Sequence, residues 1–591
     1  MGLASALLCL TVPVFGGQQP EPKIGDTIPE IQFLDIRYLP RNLADFGPQK
    51  AFVVIFTTCD CPLVQRYLPR LARMEREFRN QGAQFLALNV GRHDTLLEVA
   101  GQALEHQVAF PVGKDFDGAA VRALGVKRTP EVVVLDRQRK LRYRGRIDQQ
   151  YRLGGVRPDP GRESLREAIE AVLAGNPVPV AETPVEGCRI TLAPAPDTGQ
   201  APTYAEHLAP LLEKHCVACH GATGNAPFRL DDLDQAQTFA EMMAEVVEQE
   251  RMPPWYAHPD HGEFVNDRRL KAEEKRMFVE WAAAGAPAGD LKLWQAPNRP
   301  ETQNWQIKPP DLVLTLPRPL RVPEEGYVPY QYVVLPHRFL QDTWLQGIQI
   351  RPQNPRIVHH ANLAWFRLGE DYRASNFITG YVPGGDVMDL RDGVAYRIPQ
   401  NAALILQVHL VTTGRREESQ IEVGLRYAKE PVQKQLRHFQ IANYRFKIPP
   451  FDGAFPVRAS RRFRNDATGL GMFAHMHLRG KDMSYRAIYP DGRSQWLLKI
   501  PNYNFDWQMA YRWAPGTMRF PAGTKVEVLA HFDNSTFNPY NPDPSQEVGF
   551  GLQTDMEMMY GFLFFTEDQE ALNLSVDPKT GWVQSSAKQE F

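Results

Sequence analysis

Ala51-Phe52-Val53-Val54-Ile55-Phe56-Thr57-Thr58-Cys59-Asp60-Cys61-Pro62 reads as a strand that runs into a pair of thiols and then into a helix. Six consecutive apolar residues suit a strand covered on both faces. An amphipathic stretch follows over about residues 63–79, and the runs at 84–90 and 131–136 repeat the buried-strand pattern. Strands alternating with helices predict an α/β domain over residues 20–180. A thiol at a helix start meets free amides and the positive end of the helix dipole, so its thiolate is favoured there.

Outward from this block the composition bounds the rest. The 591 residues allow several domains, and hydrophobic (43%) and charged (23%) contents are those of a globular chain. A formal charge of −2 gives no electrostatic footprint for nucleic acid. The apolar stretch over residues 3–15, closed by Gly16-Gly17, is shorter than the ~20 residues that span a bilayer. It reads as a secretory leader over residues 1–17, although no Lys or Arg precedes it, and would carry Cys9 away on cleavage. The expectation is a periplasmic or secreted protein without an integral membrane segment. The remaining cysteines, Cys59, Cys61, Cys188, Cys216 and Cys219, all lie in the first 219 residues. Short thiol motifs point to chemistry rather than to a disulfide framework.

A linker rich in Pro, Ala and Thr covers about 177–202, and residues 200–292 read as all-α. Thr203-Tyr204-Ala205-Glu206 has the form of a capping box, and further helices are expected at about 232–250 and 270–284. After a second linker the chain becomes strand-like with frequent turn signals, long enough for two β-sandwich domains, 309–450 and 451–575. The fold class expected is therefore multidomain: α/β, all-α, and two all-β sandwiches.

Cys216-Val217-Ala218-Cys219-His220 supplies two thiols for thioether bonds and an axial imidazole, the pattern of a c-type haem site. Met252, in Arg251-Met252-Pro253-Pro254-Trp255, is the expected sixth ligand, with Met242 and Met243 as nearby alternatives. The block resembles the small cytochrome c domains of large bacterial multidomain proteins. The α/β block resembles the thioredoxin-like redoxin family, in which Thr129-Pro130 occupies the place of a cis-proline facing the thiols, so Cys59, Cys61 and Pro130 are its candidate site. Cys-x-Cys replaces the usual Cys-x-x-Cys, and a Cys59–Cys61 bridge would close a tight, strained ring. Thr58-x-x-Cys61 also looks like a peroxiredoxin site, with Cys188 as a resolving thiol.

Four pieces of the C-terminal half carry metal-binding side chains: Val358-His359-His360-Ala361, Gln407-Val408-His409-Leu410, Ala474-His475-Met476-His477 and Asp555-Met556-Glu557-Met558-Met559-Tyr560. Imidazole suits copper, and a thioether favours Cu(I). Leu404, Leu406 and Leu410 take one face of a strand, so His409 and Gln407 take the other. His475 and His477, two apart, point the same way on a strand. His359 and His360 are neighbours, so they share a metal only if the backbone bulges there.

These pieces in this order resemble the copper type II, ascorbate-dependent monooxygenases (peptidylglycine α-hydroxylating and dopamine β-monooxygenase-like enzymes). The resemblance covers about residues 310–570 and implies two jelly-roll domains. It implies one copper on His359, His360 and His409 and a second on His475, His477 and Met558, where O₂ attacks a C–H bond. Met558 is preferred because Glu557-Met558 matches the family's Glu-Met step, with Met556 and Met559 as alternatives. Phe473 and Phe562 stand where the peptide-amidating members have Arg and Tyr, which argues against peptide amidation. The resemblance implies two copper ions, haem c, O₂, a small-molecule or peptide-like substrate and electrons from the haem, ascorbate or a redox protein. Two other readings fit the same motifs: a non-enzymatic electron-transfer or copper-handling protein, and a thiol-disulfide oxidoreductase whose β domains bind a partner.

Overall fold

A computed structural model describes residues 21–152, 155–156, 160–191, 201–221, 226, 228–295, 297, 305–326, 328–367, 369, 376–382, 385 and 387–584. The expected leader, and parts of both linkers, lie outside the described residues. The chain divides into two compact units, one of residues 1–35, 40–94 and 110–193, the other of residues 36–39, 95–109 and 194–591.

In the first unit, a seven-stranded sheet has the order Pro40–Asn42, Gln32–Asp35, Val112–Lys114, Ala83–Asn89, Ala51–Thr57, Glu131–Asp136, Leu141–Gly145. Ala51–Thr57 is parallel to Ala83–Asn89 and antiparallel to Glu131–Asp136. Every residue of these three strands is buried, which is why each reads as a run without alternation. Pro62–Phe78 forms the helix behind the thiols, with Cys61 at its N-cap and proline in its first turn. Missing its N–H costs proline nothing there. The segment expected to be a free linker is partly docked: Cys188–Arg189 pairs antiparallel with Arg128–Thr129, and Thr183 N donates to Arg144 O at 3.2 Å.

In the second unit, every described element between Tyr204 and Leu293 is helical. Thr203 opens this segment, but its hydroxyl bonds the Glu206 carboxylate at 3.1 Å instead of capping a backbone amide. The helix expected over 232–250 is two, Leu233–Thr238 and Ala240–Glu248, broken at Phe239. Tyr204, Leu208, Leu212, Val217, Phe278 and Trp281 meet in their core.

From Leu312 onward the described elements are strands and short turns. A sheet ordered Leu312–Thr315, Ile421–Tyr427, Thr343–Pro352, Val394–Ile398, Lys434–Gln435 faces one ordered Gln331–Phe339, Ala402–Leu410, Val358–Arg367, Phe377–Tyr381. Alternate residues fill the space between them, with Ile348, Val423 and Leu425 from one and Leu363, Leu404 and Leu406 from the other. A second pair follows. The sheet centred on Tyr560–Glu567 and Ala467–His475 lies against that of Phe455–Arg462, Lys525–Phe532, Gly480–Ile488 and Ser494–Ile500. Tyr485 reaches across to donate to Phe473 O at 2.8 Å. A Cβ at Gly561 would stand only 2.8 Å from Val528, so this close approach requires glycine.

Candidate functional site

His359, His360 and His409 converge. One ring nitrogen of each lies within 4.8 Å of the others, and the Nδ1 atoms of His359 and His360 are 3.1 Å apart. The local fold explains how neighbours can do this. His360 pairs with His409 across the Val358–Arg367 and Ala402–Leu410 strands, and the register slips between Val358 and His360. The extra residue at His359 turns its ring to the side that His360 already faces. His409 Nδ1 is buried and has no hydrogen-bond partner among the described residues. A buried polar nitrogen left unbonded is costly, and such a nitrogen beside two further imidazoles suits a cation.

His475 closes the Ala467–His475 strand and His477 lies just beyond its end, so the pair is a strand end plus a turn rather than one regular strand. Their rings stand 5.2 Å apart at 86°. His475 Nδ1 bonds Gln508 Oε1 at 2.7 Å and His477 Nδ1 bonds the Met556 carbonyl at 3.1 Å. Both partners are acceptors, so each Nδ1 donates and each Nε2 keeps its lone pair, the orientation that outer partners impose on metal-binding imidazoles. Met558 lines the same cleft as His360, His475 and His477. Met559 is fully buried and Met556 is 37% exposed, which separates Met558 from its neighbours.

Burial, together with the surrounding histidines, holds His360 well below the ordinary imidazole range. Burial brings His409 down to about 4 and His477 to about 3, and lowers His475 as well. All four are neutral at physiological pH, the form that binds metal.

Several participants have no local sequence signal. Residues 502–508 reach both histidine groups: Asp506 Oδ1 lies 2.9 Å from His359 Nε2, and Gln508 holds His475. The Phe505 ring lies 5.2 Å from His359, 5.9 Å from His360, 6.1 Å from His409 and 6.1 Å from His477, so a single ring touches both groups. Tyr330 packs 5.1 Å from His409. Glu557, fully buried, accepts from the backbone amides of His477 (3.0 Å), Arg479 (2.6 Å) and Met558 (3.3 Å).

In the helical segment, Cys216 and Cys219 are half-buried on either side of the first turn of Val217–His220. His220 Nδ1 donates to the Phe228 carbonyl at 3.2 Å, which leaves the lone pair on Nε2, and its ring lies 4.6 Å from Phe228, which stacks on Phe239. This oriented imidazole beside an aromatic shelf fits a haem. Met252 is half-buried before a cis Met252-Pro253 bond, whereas Met243 is core and Met242 is 54% exposed. Trp255, three residues on, packs on Tyr511 at 5.1 Å.

In the first unit, the Thr129-Pro130 bond is cis. Cys61 is fully buried, and its Sγ lies 3.3 Å from Thr129 O. Cys59 is half-buried, donates its amide N–H to Asp94 Oδ2 at 2.8 Å, and has Asn89 Nδ2 at 3.8 Å from its sulfur. The thiol in contact with Cys61 is Cys188. Burial pushes Cys61 up, but hydrogen bonds from Cys188, the Val64 amide and Thr129 outweigh it and hold the thiol below its usual range. Burial and the neighbouring Cys61 raise Cys188 to about 11.

Known proteins resemble the N-terminal region. Residues 24–144 match the AhpC/TSA family. The thiol-disulfide oxidoreductase ResA of Geobacillus thermodenitrificans is 25% identical over 119 residues, 20% of this chain and 67% of that protein. Among solved structures, a hypothetical protein from Sinorhizobium meliloti is 28% identical, covering 30% of this chain and 97% of that one, with a TM-score of 0.28. A putative thiol:disulfide interchange protein from Chlorobium tepidum is 20% identical over 26% of this chain and 96% of that one, with a TM-score of 0.20. The family match makes the N-terminal region a thioredoxin-like redoxin domain of oxidoreductase type, and a helical segment and then a large all-β region follow it.

Proposed function

We propose that the β region holds two copper ions and hydroxylates a C–H bond of a small or peptide-like substrate with O₂. The observation that carries this reading is the closure of His359, His360 and His409 to within 4.8 Å, with His475, His477 and Met558 on the adjoining cleft. Each set has three donors of a kind copper accepts. Bound copper would supply one-electron chemistry and an open position for O₂. Burial keeps His360, His409, His475 and His477 neutral, Gln508 and the Met556 carbonyl aim the last two, and Phe505 packs against both sets.

Cys216, Cys219, His220 and Met252 would hold a haem c, whose chemistry is one-electron transfer. Tyr511 belongs to the strand that follows Gln508 and packs on Trp255, so the turn carrying Met252 touches the strand that continues from the 502–508 loop.

The test is O₂ uptake by the exported, copper-loaded protein with ascorbate. Copper- and reductant-dependent uptake is expected. Two coppers bound with no uptake across a substrate panel would instead favour a copper-handling protein. Gln508→Leu is expected to weaken the copper on His475 and His477 by about 10–100-fold, read by competition with a chelator, while the copper on His359, His360 and His409 keeps its affinity.

A second reading has its own observation. The redoxin match, with a depressed Cys61 thiol beside a cis-proline, supports thiol-disulfide exchange as an activity of the N-terminal domain. If this is the whole protein's function, Cys61→Ser abolishes activity and His475→Ala does not.

A further inference from the structure

The sequence offers Cys61 two thiol partners, its near neighbour Cys59 and the distant Cys188, and the structure sets Cys188 beside it. Cys188 lies 127 positions later, on a two-residue strand, Cys188–Arg189, that pairs antiparallel with Arg128–Thr129 beside the cis-proline. The register sets Cys188 opposite Thr129, the residue whose carbonyl lies 3.3 Å from Cys61 Sγ. Flanking bonds hold the strand in place: Arg128 Nη1 donates to Gly187 O at 2.7 Å, and Ile190 N donates to Lys127 O at 3.0 Å. A Cβ at Gly187 would fall 2.1 Å from Thr129 O, so only glycine lets the strand come this close. Cys59, meanwhile, is turned towards Asn89 and Asp94.

Addition of an extended segment to an exposed strand edge is a general mode of peptide recognition. Here the chain does this to itself and delivers a thiol to the one that is buried. We propose that Cys61 and Cys188, not Cys59 and Cys61, are the redox couple of this domain, with residues 186–190 acting as a tethered strand that resolves adducts formed on Cys61 by disulfide-bearing oxidants. This rests on the thiol-exchange reading of the redoxin domain.

The chemistry balances as two exchanges. The Cys61 thiolate attacks R–S–S–R, forming Cys61–S–S–R and releasing one RSH with the proton that Cys61 gave up. Cys188 then attacks the Cys61 sulfur, forming Cys61–S–S–Cys188 and releasing the second RSH. Two thiols of the protein are oxidised and one external disulfide is reduced. Because Cys61 is fully covered, the strand must lift for the first step. A two-residue ladder is the kind of short, weakly protected pairing that opens locally.

The experiment treats the reduced full-length protein with glutathione disulfide, quenches with acid, alkylates free thiols and maps the products by mass spectrometry. A cross-link between the peptides bearing Cys61 and Cys188 is expected, with Cys59 alkylated. Cys59→Ser leaves the cross-link yield unchanged. In Cys188→Ser the glutathione adduct on Cys61 persists at least about tenfold longer, since nothing resolves it. A Cys59–Cys61 bridge in the unaltered protein, or an adduct no longer-lived in Cys188→Ser, overturns the proposal while leaving thiol exchange standing. No oxidation of Cys61 in any form overturns both.

Discussion

His409→Ala is expected to lower bound copper from two ions to one and to abolish O₂ uptake, while the protein folds with nearly its original stability. The two halves of this expectation come from the same atom. His409 Nδ1 makes no hydrogen bond among the described residues, so truncating the ring leaves none of them unsatisfied. What is lost is packing against Tyr330 and Phe505, about 1 kcal/mol, the centre of the range for point substitutions. Metal binding loses a direct ligand, so the affinity of that site falls by more than about 100-fold, beyond what losing an outer partner costs. Copper per chain and the Cu(II) EPR spectrum read the effect. His475→Ala removes the other ion, while His337→Ala, whose ring meets Phe339 outside either group, keeps both. Two coppers with an unchanged spectrum in His409→Ala would remove this histidine from the site.

The residues that hold these histidines were far less legible than the histidines themselves. A buried parallel strand shows as an apolar run, so Ala51–Thr57 and its neighbours could be read directly. The required bulge at His359 also followed from the sequence, because side chains alternate along a strand and adjacent histidines cannot otherwise share a face. Asp506 meets His359 across 147 positions, Gln508 meets His475 across 33, and Glu557 meets His477 across 80. No periodicity or local spacing encodes such pairs. They arise where loops of separate strands converge. In the N-terminal domain the sequence left Cys59 and Cys188 both open as partners of Cys61, and what it did not encode was the strand pairing of Cys188–Arg189 with Arg128–Thr129 that decides between them.

Glu557→Ala is expected to act on the opposite axis, with stability lost first and the metal second. Glu557 has no solvent exposure, and its two oxygens take three backbone amides, those of His477, Arg479 and Met558. Each buried amide left without an acceptor costs about 1–3 kcal/mol, so the total is about 3–5 kcal/mol after partial relaxation. For a domain of this size that lowers the midpoint of the β-region transition by about 10 °C. Because the chain is multidomain, the scan should be resolved into separate transitions, with the redoxin transition unchanged. The carboxylate also ties the turn carrying His477 to the strand start carrying Met558. Copper at that site should therefore weaken even at temperatures where the variant is folded, while copper on His359, His360 and His409 is retained. Glu557→Gln keeps one acceptor oxygen and should fall between the two proteins. If Glu557→Ala unfolds at the original temperature, those amides have found other partners and the carboxylate does not organise the turn.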